Sequence, residues 1–176
     1  MKNNKPLEGI KIIEISTIIT ASLSAMMLAD QGAEVVKIEQ TGFGDPLRYL
    51  GTQKGGISAI FANVNRGKSS VELDLKKETD LNFAKKLISE ADVLLNNFRP
   101  GVMESLGISK EECKKLNEDL IYVAITGFGK KGSFSNKPAY DHVVQAMSGA
   151  TAIQSDLDKP QYMKTLLCDK ITAYTA

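Results

Sequence analysis

The stretch GIKIIEISTIITASLSAMMLADQGAEVVKIE, residues 9–39, carries three patterns in succession. GIKIIEIS (9–16) is a short run rich in β-branched residues, which predicts a strand. From Thr20 onward Leu23, Met26, Met27 and Asp30 fall at helical spacing among small residues, and Gly32 marks a C-terminal stop. AEVVKIE (33–39) predicts a second strand. Strand, helix and strand in about 30 residues make a βαβ unit, whose strands run parallel through a right-handed crossover.

Working outward, the pattern repeats. A Gly-rich loop, QTGFGDPLRYLGTQKGG (40–56), is long for a connection without structure and is expected to have a function or to cover something. SAIFANVNRGK predicts a short helix, SVELDL (70–75) a strand, and KKETDLNFAKKLISEA (76–91) an amphipathic helix with Leu81, Ala84, Leu87 and Ile88 on one face. DVLLNNF (92–98) and DLIYVAITGFG (119–129) read as buried strands, separated by short helices in RPGVMESLGIS and KEECKKLN. A loop, KKGSFSNKPAY, leads to a helix in YDHVVQAMSGA, a turn in QSDLDKP and a helix opening in LLCDKITAYTA. Alternation of this kind predicts an α/β domain with a parallel, Rossmann-like sheet flanked by helices. Its 176 residues suit one domain.

Composition excludes several classes. The net charge is +1 and no basic or acidic block occurs, so neither nucleic acid nor a membrane surface is an expected partner. No apolar run approaches the roughly 20 residues of a membrane span. Two distant cysteines, Cys113 and Cys168, and one histidine, His142, make no metal spacing, so no metal is expected. A reduced, cytoplasmic setting follows as the expectation. Glu39 closes the second strand where a ribose-binding acid would sit in a dinucleotide fold. The turn after the first strand, STIITAS, holds no glycine, and without G-x-G-x-x-G a backbone cannot approach a pyrophosphate closely. NRGKSS lacks the upstream glycine of a phosphate-binding P-loop.

Some segments invite chemistry. NNFRPG (96–101) follows a buried strand, and ligands in open α/β sheets lie beyond the carboxyl ends of strands. Asn97, Phe98 and Arg99 would project there to meet a ring or a phosphate; a plain turn punctuated by Pro100 and Gly101 is the alternative. The three arginines, Arg48, Arg66 and Arg99, all lie beside Gly or Pro in loop-like segments. In PAYD (138–141) Asp141 reads as a helix cap and Tyr140 places a hydroxyl at a helix start. Asp169, in the first turn of the last helix, reads on its own as a cap.

Taken in order, LADQGAEVVKIE, GDPLR, NRGKSSVELDLK, ADVLLNNFRPGVMESLGI, LIYVAITGFG and PAYDHVVQAMSG resemble the successive blocks of the class III (CaiB/BaiF) CoA-transferases, a family that includes formyl-CoA transferases and α-methylacyl-CoA racemases. The resemblance runs from about Leu7 to Ala176. It implies that residues 1–176 are the N-terminal part of a CoA-binding large domain, with a small domain and a C-terminal return segment lying outside the chain. It implies acyl-CoA and a carboxylic acid as substrates, no permanently bound cofactor, and an interlocked homodimer. It places the family's nucleophilic aspartate at Asp169, 29 residues after Tyr140. There the carboxylate would attack a thioester to form a mixed anhydride and then an aspartyl-CoA thioester. Ile19 and Thr20, Leu73 to Lys76, and Asn97 to Arg99 match CoA-binding segments, and Tyr140 matches a residue near the reactive thioester. The racemases carry His at that position, so Tyr140 favours transfer.

The chain departs from the family pattern in places. Ala21-Ser22 stands where many members have Gly-Pro, Gln40 where an Arg often follows, and Ser105 where a basic residue often sits. The alternatives carried with the transferase reading are an acyl-CoA racemase of the same family and a truncated, non-catalytic CoA-binding remnant.

Overall fold

A computed structural model describes residues 5–156 and 158–176. In chain order the elements are β1 (Lys11–Ile15), α1 (Thr20–Asp30), β2 (Glu34–Gln40), a 3₁₀ turn (Pro46–Tyr49), β3 (Gln53–Lys54), β4 (Ile57–Ser58), α2 (Ala59–Asn65) and β5 (Lys68–Leu73). There follow α3 (Glu78–Ser89), β6 (Val93–Asn96), α4 (Val102–Ser105), α5 (Lys110–Leu116), β7 (Ile121–Ala124), α6 (Asp141–Met147), α7 (Ala150–Ile153) and α8 (Leu167–Thr175).

Five strands form one parallel sheet in the order β5-β2-β1-β6-β7. In terms of successive parallel strands this is the 3-2-1-4-5 order of a Rossmann sheet, whose direction of winding reverses between β1 and β6. The expected α/β class is therefore the observed one. Alternation along β1 sends Ile12 to one face and Ile13 and Ile15 to the other. The first face is covered by α1, where Ala21, Ala25 and Ala29 bring the helix close against Ile12, Val35 and Leu95. The second face is covered by Ala84 and Ile88 of α3, Met103 of α4 and Cys113 of α5.

Some boundaries differ from the sequence reading. The strand expected over 70–75 runs two residues earlier, because Lys68 to Leu73 pair with Val35 to Gln40. The strand expected over 119–129 ends at Ala124, and the chain then turns away after Ile125. The Gly-rich loop 40–56 contains the 3₁₀ turn, capped by Asp45, and part of the β3–β4 hairpin. Residue 157, inside the turn expected in QSDLDKP, lies outside the described residues.

A charged network sits beneath the β1–α1 turn. Lys37 Nζ is 2.6 Å from Glu14 Oε1 and 3.0 Å from Asp45 Oδ2, and all three side chains are buried. Lys68 Nζ donates to Glu14 Oε2 at 2.6 Å, while Ser16 and Ser22 donate to Glu14 Oε1. Burial raises the Glu14 carboxyl, but the two ammonium groups outweigh it and hold it below the usual range. Burial and the neighbouring Lys37 charge push Lys68 down to about 8, against the attraction of Glu14. No helix among the described residues is long and apolar enough to cross a membrane.

Candidate active site

The carboxyl ends of β1 and β6 open into a cleft of about 330 Å³. It lies at the reversal of the sheet, the crevice where α/β sheets bind ligands. Three loops and two helices wall it: the β1–α1 turn (Thr17, Thr20), the segment after β6 (Asn97 to Pro100), the segment after β7 (Ile125 to Gly127), and residues of α6 and α8. Asp169 faces this cleft beside Cys168 and Thr172.

Asp169 is the third residue of α8. The helix reaches the site because Ala173 packs among Ile19, Leu23 and Met26, and because Ser24 Oγ donates to the Ala173 carbonyl at 2.8 Å. Its N-terminus has no cap of its own. Asp141 supplies one from α6: Oδ1 accepts the Asp169 N–H at 3.0 Å. Asp141 is buried, and Gln145 donates to its Oδ2 at 2.5 Å. Gln145 also accepts from Met163 N and donates to the Thr165 carbonyl, tying the approach to α8 in place. Asp141 was expected to cap the start of α6; it instead caps a helix 28 positions onward.

Burial, then repulsion from Asp141, raises the Asp169 carboxyl to about 6, with His142 acting weakly the other way. A carboxylate so placed keeps more basicity than a solvated one and is ionised near neutral pH. Because this acid is raised on folding, its ionisation lowers stability as pH climbs from the ordinary value of 3.8 through about 6.

The structure gathers seven of the nine sequence candidates at one place: Ile19, Thr20, Asn97, Phe98, Arg99, Tyr140 and Asp169 all line the cleft. Their roles differ. The Ile19 side chain is buried in the core under α1. Asn97 is engaged with the β1–α1 turn, accepting from Thr17 N at 3.1 Å and donating to the Thr17 carbonyl at 2.7 Å and Thr20 Oγ1 at 3.1 Å. Tyr140 is exposed and stacks with His142, which meets Tyr162 edge-on. Leu73 lies in the core and Lys76 on the surface, outside the cleft lining. Leu73 ends β5 and Lys76 follows it, two strands from β1, or roughly 10 Å away at the usual strand spacing.

Sequence reasoning missed Lys137 and Ser135, a cation and a hydroxyl in the cleft wall next to the Tyr140 block. It also missed Gly127. A Cβ there would stand 1.9 Å from the Ala139 Cβ, so this glycine is the space into which the chain before Tyr140 packs. Gly127→Ala is expected to force residues 139–140 outward, lowering stability by about 1–3 kcal/mol and weakening ligand binding. Thermal unfolding and a binding titration read the two effects. Glu39 is not available to a ribose: Arg48 and Ser70 hydrogen-bond it. Despite burial, those bonds hold it at about 2. Among the described residues no three His, Cys, Asp or Glu side chains gather as a metal would require.

Residues 7–176 match the family described as CoA-transferase family III. An acetyl-CoA:oxalate CoA-transferase of Acetobacter aceti is 43% identical over 148 residues, which cover 84% of this chain and 38% of that protein. A succinyl-CoA:glutarate CoA-transferase of Homo sapiens is 34% identical over 181 residues, covering 100% of this chain and 41% of that protein. The crystal structure of a CaiB/BaiF family protein from Brucella suis superposes with a TM-score of 0.90 at 32% identity, covering 98% of this chain and 48% of that one. The chain spans about two fifths of the length of these curated relatives.

Proposed function

The chain belongs to CoA-transferase family III, and from that premise we propose that the intact protein moves CoA between an acyl-CoA and a carboxylic acid through a covalent intermediate on Asp169. The observation that carries this reading is the Asp169 carboxylate: it is half-buried, raised to about 6, and set at the start of a helix in the wall of the switch-point cleft.

The carboxylate attacks the thioester carbonyl; a C–O bond forms, the C–S bond breaks, and CoA leaves as thiolate. The thiolate then attacks the Asp169 carbonyl of the mixed anhydride, releasing the donor's acyl group as a free acid and leaving an aspartyl-CoA thioester. An acceptor carboxylate runs the same two steps in reverse and departs as the new acyl-CoA. Each exchange joins groups of similar acyl-transfer potential, so no nucleotide is consumed. The N-terminal end of α8 favours the ionised nucleophile.

Arg99 and Lys137 supply the positive charge that a nucleotide phosphate needs within the cleft. A longer ligand leaving the cleft along the strand ends would meet Lys76. In this reading the chain is part of a CoA-binding domain, and two copies interlock in the intact enzyme.

The experiment is chemical trapping. Incubation of the intact protein with acyl-CoA, followed by hydroxylamine, is expected to leave a hydroxamate on Asp169, located by peptide mass spectrometry. The yield should rise with pH through about 6, as Asp169 loses its proton. An unmodified Asp169, or a hydroxamate on another carboxylate, overturns the mechanism.

A further inference from the structure

We propose that Asp45 is a positioning residue for the cleft: it holds Ile18 in the left-handed region and thereby fixes the wall that residues 17–20 present to an acyl-CoA. The proposal rests on reading the cleft as a CoA site.

Ile18 has φ +66°, and among the described residues it is the one non-glycine with positive φ. A β-branched residue is strained there and keeps the conformation only where its surroundings enforce it. Two side chains do so. Asn97 grips Thr17 and Thr20 from the β6 side. From the other side Asp45 Oδ1 accepts the Ile18 N–H at 3.1 Å and the Leu47 N–H at 2.9 Å. Asp45 is itself buried. Its Oδ2 receives no aligned hydrogen bond among the described residues and faces the Lys37 ammonium at 3.0 Å.

Asn97 lines the cleft, so a change there would mix direct contact with positioning. Asp45 is not among the cleft-lining residues, so its effect on a ligand is indirect, and the part carried by the Ile18 turn is what the glycine background removes. Without Asp45, Ile18 can relax to negative φ, which rotates the peptide units on either side of it and moves Thr20 Oγ1.

The test is a double-mutant cycle on the intact enzyme, read as KM for acyl-CoA against kcat per active site. Asp45→Ala is expected to raise KM about tenfold with kcat changed by less than about twofold, since the turn binds rather than reacts. Glycine adopts left-handed backbone freely, so in the Ile18→Gly background the same Asp45→Ala change should shift KM by less than about twofold. An unchanged KM in Asp45→Ala, or an equal rise in both backgrounds, overturns the proposal. If Asp45→Ala does not fold, Asp45→Asn takes its place; it weakens the acceptor while keeping its volume, and the expected rise is about threefold.

A second readout separates this proposal from the functional one. Cys168 lines the cleft, whereas Cys113 is buried with its thiol pushed up to about 11, so iodoacetamide labelling read at the Cys168 peptide by mass spectrometry reports on the cleft. Loss of Asp45 should change the Cys168 alkylation rate by about threefold or more in the parent but not in the Ile18→Gly background. If the parent protein neither binds nor transfers CoA, the functional reading fails, and the alkylation cycle still decides whether Asp45 sets the cleft.

Discussion

Asp169→Ala is expected to abolish CoA transfer, lowering kcat on the order of 10⁴-fold, as removal of a covalent nucleophile does in other acyl-transfer enzymes. Among the described residues the two nearest candidates are poorly placed to substitute for it. Asp141 lies closest in kind, yet its oxygens are engaged by the Asp169 amide and by Gln145. Cys168 is adjacent in sequence, but burial and the two carboxylates beside it raise its thiol, which makes it a poorer nucleophile. CoA affinity should survive, because the Asp169 amide still meets Asp141 and α8 still docks through Ala173 on α1. Asp169→Asn should be as inactive as the alanine variant. It should also be the more stable of wild type and variant above about pH 6, since it carries no charge to desolvate. Steady-state transfer, calorimetric CoA binding and urea unfolding of the same samples check the three statements. Retention of about a tenth of the wild-type rate would leave only about 1.4 kcal/mol for Asp169, too little for a nucleophile.

The second large effect is on folding. Lys37→Ala should destabilise the protein by about 3–5 kcal/mol, the cost of removing one partner from a buried ionic cluster. It strips Asp45 of its ammonium partner and removes one of the two that hold Glu14. The exposed pair Arg66–Asp30 is the control: Arg66→Ala should cost about 1 kcal/mol or less. Urea denaturation midpoints compare the two. Similar costs would mean that water reaches the Lys37 site and that the cluster is less dry than its burial implies.

Much of the fold was legible in residues 9–39, because a switch from near-continuous β-branched residues to helical spacing and back admits few topologies. The position of the cleft was legible too: Asn97 and Arg99 follow a buried strand, and both line the cleft at the strand ends. What holds the site together was not. The Asp45–Ile18 bond spans 27 positions, and the Asp141–Asp169 bond spans 28. Nothing in periodicity links residues so far apart, and a carboxylate that caps another helix reads in sequence like one that caps its own. In sequence Gly127 reads as part of a strand, and the Ala139 methyl that would meet a Cβ there is known only from the packing. Leu73 and Lys76 matched by block, whereas in space they sit two strands from the cleft.

The bond from Asp45 to the Ile18 amide also bears on which cofactors the fold can accept. In dinucleotide-binding sheets of this strand order, amides of the first turn wait for a diffusing phosphate. Here the chain brings its own anion to that turn, a buried carboxylate carried by the 40–56 loop. A phosphate reaching for that one amide would have to displace Asp45. The missing glycines therefore go together with an Ile18 amide that is already occupied: one donor that such sheets offer to a phosphate is spent within the chain itself.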